Sequence, residues 1–153
     1  MVIQIYTDGS CHTATKAGAW AAILFLENEK KDLSGLVLNT THNRMELLAV
    51  IEAVSFIIEK NIQSKIVIYT DSQYVTRLPE RKVIFSKNNY LSSKGTEIRN
   101  KDLVEKLIHY IQTYDITFVK VKAHQKKTST VNPNREVDKM ARKILREYIK
   151  KEN

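Results

Sequence analysis

The sequence predicts an α/β fold: a five-stranded mixed sheet, three antiparallel strands followed by two parallel ones, flanked by helices. Two observations carry this. The apolar periodicity reads β-β-β-α-β-α-β-α along the chain, and three hairpin-linked strands followed by helical crossovers close into a mixed sheet with helices on its faces. The 153 residues also show no repeat, no low-complexity stretch and no dividing linker, so a single domain over 1–153 is expected.

Each element has its own signal. Residues 2–7 alternate apolar and polar, with Val2 off pattern, and read as a strand. Residues 19–27 and about 31–39 read as two more, turned at Asn28-Glu29-Lys30 into an antiparallel meander. Residues 43–59 are too long and too rich in leucine and alanine for a strand, and form a helix apolar nearly all round. Ile66-Val67-Ile68-Tyr69 is a short β-branched run, suited to a strand covered on both faces. Extra irregular or helical structure fills 73–100. Residues 102–114 place Leu103, Val104, Leu107, Ile108 and Ile111 on one stripe, with Asp102 and Glu105 as a start signal. Ile116 to Val121 is the fifth strand. Asn132 then caps a last helix whose first position suits Pro133, and Val137, Met140, Ala141, Ile144, Leu145, Tyr148 and Ile149 form its apolar stripe.

Composition narrows the function classes. No apolar run reaches the length of about 18 residues that a membrane helix needs, and the N-terminus lacks the basic and apolar regions of a signal peptide. Cys11 is the only cysteine, which excludes an internal disulfide framework and points to a reducing, cytoplasmic setting. The net charge of +8 favours a polyanionic partner, nucleic acid first, although solubility alone also explains it. Basic residues gather in 77–101 and again in the last helix.

Four acids stand in distinct local frames: Asp8 in Tyr6-Thr7-Asp8-Gly9-Ser10, Glu46 in Asn43-Arg44-Met45-Glu46-Leu47, Asp71 in Tyr69-Thr70-Asp71-Ser72-Gln73, and Asp138 in Asn134-Arg135-Glu136-Val137-Asp138. Asp8 is expected to close the first strand and Asp71 the fourth, at the carboxyl ends where α/β sheets build sites. Glu46 is expected in the first turn of the buried helix, and Asp138 beside the last helix's apolar stripe. Converging carboxylates repel unless a cation is present, and an oxygen-only set favours Mg²⁺ or Mn²⁺. Taken singly, each acid is better explained by a turn or a helix start.

The flanking residues go further. Thr7-Asp8-Gly9-Ser10-Cys11, Asn43-Arg44-Met45-Glu46-Leu47, Tyr69-Thr70-Asp71-Ser72-Gln73-Tyr74, Val121-Lys122-Ala123-His124 and the pair Asn134 with Asp138 resemble, in order, the blocks of type 1 ribonuclease H. The resemblance implies the ribonuclease H-like fold. It implies hydrolysis of the RNA strand of an RNA/DNA hybrid to 5′-phosphate and 3′-hydroxyl ends. Asp8, Glu46, Asp71 and Asp138 would hold two Mg²⁺ ions, with Mn²⁺ as a substitute, and His124 would assist proton transfer or product release. Asn43, Gln73 and Asn134 match positions that touch the RNA strand, Thr41 one that grips a DNA phosphate, and Gly9, Ser10 and Cys11 contacts near the first acid. The partner implied is the hybrid, with no membrane and a monomeric chain.

The chain departs from the family at several points. Ala123 replaces the usual glycine before the histidine, and the loop from His124 to Asp138 is long and lacks glycine. Arg135 stands where the family has glutamate, and His12-Thr13-Ala14-Thr15-Lys16 replaces a glycine- and proline-rich turn. Trp20 is the only tryptophan, so residues 75–100 are basic without the tryptophan of the bacterial protrusion, and Leu91 to Asp102 is more similar to reverse transcriptases of retroviruses, as is the 134–138 region. Arg81, Lys82, Lys87 and Lys94 are the expected phosphate contacts there. Two other readings stay open: a hybrid-binding module with weak or partner-dependent activity, against which all four acids and the chain ends at Met1 and Asn153 argue, and a related-fold DNA nuclease or integrase, against which Asn43, Gln73 and Asn134 argue.

Overall fold

A computed structural model of the chain describes residues 1–123, 126 and 130–152. The elements run β1 (Val2–His12), β2 (Ala17–Phe25), β3 (Lys30–Val37), α1 (His42–Glu59), β4 (Lys65–Thr70), α2 (Gln73–Thr76), α3 (Leu78–Lys87), α4 (Lys101–Thr113), β5 (Ile116–Lys120) and α5 (Pro133–Glu152). The strands form one sheet in the order β3-β2-β1-β4-β5. The first three are joined antiparallel; β4 lies parallel to β1, and β5 parallel to β4. The mixed five-stranded sheet expected from the sequence is therefore the fold observed.

Its two faces are built from the period of two along the strands. Ile3, Ile5, Leu24, Ile66 and Ile68 face α1 and α4, where Leu47, Ile51 and Leu107 meet them. Ala19, Ala21 and Ile23 face α5 and pack on Val137, Ala141 and Leu145. Ala21, Ala22, Ile23 and Leu24 are all fully buried because β2 is covered on both faces, which explains its unbroken apolar run. Each fully buried Leu or Ile contributes roughly 1.5–3 kcal/mol of transfer free energy. Beside α5, Tyr6 of β1 stacks on Tyr69 of β4 at 4.5 Å between ring centres.

Three expectations need correction. β1 does not end near residue 7; it continues to His12 because β2 pairs with it as far as His12 and Ala17. Asp8 thus lies inside a strand, just beyond Tyr6 and Tyr69, where the β1–β4 pairing stops. Glu46 is the fifth residue of α1, because the helix starts one residue earlier than expected, at His42, and no acid occupies its first turn. Asp102 does not cap α4. Asn100 precedes that helix in a left-handed conformation without a side-chain cap, and Asp102 sits in the first turn. There Arg44 donates to both its carboxylate oxygens at 2.9 Å, holding the carboxyl down to about 2. This pair ties the start of α1 to the start of α4. It is largely solvent-exposed, so its worth is small.

Candidate active site

The chain brings its acids together by ending strands and starting helices at one place. β4 stops at Thr70, whose hydroxyl accepts from the Ser72 backbone N–H at 3.1 Å, and this turn carries Asp71. Ser72 then caps α2 by accepting from the Val75 N–H at 3.2 Å. Across the sheet, α1 comes down directly on β1 at Gly9. A Cβ there would lie 2.6 Å from the Glu46 nitrogen and 2.7 Å from the Met45 carbonyl carbon, so only glycine permits the approach. α5 enters from the other side, and Asp138 lies one residue past the buried Val137.

Asp8, Glu46 and Asp71 each offer a carboxylate oxygen within 4.8 Å of the other two. Asp8 is 6% exposed and Glu46 is fully buried. Asp8 is pushed up to about 10, chiefly by burial, then by the negative charges of Glu46 and Asp71 and by a hydrogen bond shared with Asp138. Glu46 is also raised by burial, against the pull of His42 and the Gly9 N–H. Its Oε1 accepts from the Gly9 N–H at 3.2 Å and lies 3.2 Å from the His42 Nε2. Its Oε2 is buried with no hydrogen-bond partner among the described residues. The bond that His42 donates to Oε1 raises His42 above the ordinary histidine range. Asp138 stands beside Asp8 and pairs with Arg142 at 2.9 Å.

A buried acid with one oxygen unpartnered is costly, and so is a cluster of like charges. A divalent cation removes both penalties at once. The donors are carboxylate oxygens, which fit a hard ion such as Mg²⁺ or Mn²⁺. Asp8, Glu46 and Asp71 are therefore a fit for the cation expected from the sequence, with Asp138 adjoining them.

A cleft of about 410 Å³ opens over Asp8, Asp71 and Asp138, and Gly9, Ser10, Asn43 and Gln73 of the expected substrate contacts line it. Asn134 lines a smaller crevice behind, with Asp8, Asp71 and Asp138. Cys11 and Thr41 do not line the cleft. The Cys11 thiol reaches the Thr40 carbonyl at 3.6 Å, and Thr41 caps α1 by accepting from the Arg44 N–H at 3.3 Å. Arg81, Lys82 and Lys87 lie on α3, and Lys94 on the segment after it, also apart from the cleft. His124 lies outside the described residues. Two lining residues escaped the sequence reading, His42 and Arg142. Each stands four positions from an acid on its own helix, His42 before Glu46 and Arg142 after Asp138, the spacing that brings helical side chains together.

The RNase H family model matches residues 1–146. A ribonuclease H of Caldicellulosiruptor saccharolyticus (strain ATCC 43494 / DSM 8903 / Tp8T 6331) is 37% identical over 147 residues, covering 95% of this chain and 97% of that protein. Among solved structures, LC9-RNase H1, a type 1 RNase H with the type 2 active-site motif, superposes with a TM-score of 0.78 at 21% identity, over 92% of this chain and 70% of that one. The solution structure of the PFV RNase H domain superposes with a TM-score of 0.72 at 21% identity, over 92% of each chain.

Proposed function

This chain belongs to the RNase H family of nucleases, and on that premise we propose that it hydrolyses the RNA strand of RNA/DNA hybrids, leaving 5′-phosphate and 3′-hydroxyl ends. One observation carries the reading: Asp8, Glu46 and Asp71 offer carboxylate oxygens within 4.8 Å of one another, Asp8 and Asp71 line an open cleft, and the buried Glu46 keeps one oxygen without a partner among the described residues. Asp8, Glu46, Asp71 and Asp138 would hold the ions, two Mg²⁺ in this proposal, with Mn²⁺ as a substitute. When bound, divalent ions supply the Lewis acidity that activates water and neutralises charge on the attacking and leaving oxygens of a phosphodiester.

The protein's own groups supply position. Asn43 and Gln73, on the cleft wall, and Asn134, in the crevice, would recognise the 2′-hydroxyls that separate RNA from DNA. Ser10 would add a hydroxyl contact beside Asp8, and Gly9 leaves backbone room there. Thr41, exposed at the mouth of α1, would hold a phosphate of the DNA strand. Arg81, Lys82, Lys87 and Lys94 would hold phosphates farther along the hybrid, a contact that depends on charge rather than sequence. His124 would carry the proton to the leaving oxygen or assist product release.

A strand-resolved cleavage assay tests the proposal. The substrates are one sequence as RNA/DNA hybrid, duplex RNA and duplex DNA, each strand labelled in turn. Cleavage confined to the hybrid's RNA strand, with phosphatase-sensitive 5′ ends on the downstream fragments, is the expected result. Equal cutting of duplex DNA, or products with 3′-phosphates, would reject it.

A further inference from the structure

The four acids are not equivalent in the folded chain. Asp8, Glu46 and Asp71 form the compact group. Asp138 adjoins it through Asp8, and on α5 its Oδ2 is held by the Arg142 guanidinium at 2.9 Å. Arg142 also lines the cleft and is the one permanently charged cation among the described residues that do so. The counterpart on α1 differs. His42 and the Gly9 N–H both engage Glu46 Oε1, and Oε2 stays buried and unpartnered. On α1 one Glu46 oxygen thus stays without a partner among the described residues, whereas on α5 a permanently charged side chain already holds an oxygen of Asp138.

We infer that Arg142 gates cation binding at Asp138: the chain offers one preformed position, at Asp8, Glu46 and Asp71, and a second that fills only when Asp138 releases Arg142. This rests on the cation-dependent reading of the site and adds an order of filling to it. The gate is weak. Arg142 is 54% exposed and Asp138 16%, and an ion pair of that kind holds by a factor of roughly two to five. A divalent ion carries twice the charge of the guanidinium and outcompetes it once its concentration is sufficient. When displaced, Arg142 remains on the cleft wall as a cation facing the polyanion.

Calorimetric titration with Mn²⁺ alone, without nucleic acid, tests this on the full chain. The variants are Arg142→Gln and Arg142→Lys, with Asp138→Asn and Arg146→Gln as references. Wild type should bind in a tighter and a weaker phase, and Asp138→Asn should lose the weaker one. Arg142→Gln should tighten the weaker phase roughly two- to fivefold and leave the tighter phase unchanged, with Arg142→Lys between. Arg146→Gln, with the same charge change one turn farther along α5, should move neither. An unaltered weaker phase in Arg142→Gln, equal tightening of both phases, or the same shift in Arg146→Gln would overturn the gate while leaving the cation site standing. Absence of Mn²⁺ binding in every variant would overturn the site and the gate together.

Discussion

Replacing Asp8 with asparagine should stabilise the metal-free protein while abolishing its activity. Asp8 is 6% exposed, and its carboxylate lies within 4.8 Å of those of Glu46 and Asp71. Two unit charges 4.8 Å apart repel by about 3 kcal/mol at an effective dielectric of about 20. Proton linkage gives a similar scale. Asp8 is pushed from 3.8 up to about 10. Keeping it protonated in the fold near pH 7 costs about 1.4 kcal/mol for each pH unit above the unfolded value, or about 4 kcal/mol as an upper limit. His42 and Arg142 offset part of the repulsion, and the amide keeps an N–H for Asp138. The expected gain is therefore about 2–3 kcal/mol, or roughly 5–10 °C in Tm for a chain of this length. The pH dependence follows from the sign of the shift. A raised folded-state value contributes stability that is complete below about pH 4 and lost as pH climbs towards about 10, so wild type should weaken over that range more steeply than Asp8→Asn. Circular-dichroism melts in EDTA at acidic, neutral and alkaline pH, repeated with Mg²⁺, measure both effects. A Tm in EDTA that is unchanged or lower in the variant, or equal stabilisation of both proteins by Mg²⁺, would refute the reasoning.

Three other perturbations have defined outcomes. Gly9→Ala places a Cβ 2.6 Å from the Glu46 nitrogen, so α1 must retreat; urea denaturation should show a loss of about 1–3 kcal/mol, together with reduced activity. Changing Arg81, Lys82, Lys87 and Lys94 together to alanine should weaken hybrid binding and flatten its log–log salt slope by up to about 3–4 units, whereas an unaltered slope would place the phosphates elsewhere. His124→Ala should lower single-turnover cleavage about 100-fold if the imidazole transfers the proton, and by far less in single than in multiple turnover if it acts on product release.

The mixed five-stranded sheet and the helices on its faces were legible in the sequence because alternation and helical stripes are local signals. β1's true length was not, because Asp8 to His12 are held in the strand by pairing with β2, a tertiary effect that polar residues conceal. The same extension moved Asp8 from a strand end to a strand interior. α2 and α3 were legible only as irregular or helical structure, since Val83 and Ile84 are exposed and break the apolar stripe that identifies a helix. At the site the acids could be read from their frames. Their inequivalence could not, because it depends on His42 and Arg142 folding back along their own helices. The four-residue spacing was present in both cases. It became meaningful only when the cleft placed both groups against the acids.

Asp71 offers the most direct test of the central claim that these acids form a cation-dependent site for cutting the RNA of a hybrid. Cleavage and equilibrium binding of a labelled RNA/DNA hybrid should be measured together for wild type and Asp71→Asn, with Mg²⁺ and with EDTA. Wild type should cleave only with Mg²⁺, and the variant should lose at least about 1000-fold in rate while still binding the hybrid in EDTA as wild type does. Metal-independent cleavage, or an Asp71→Asn variant that cuts at the wild-type rate, would contradict it.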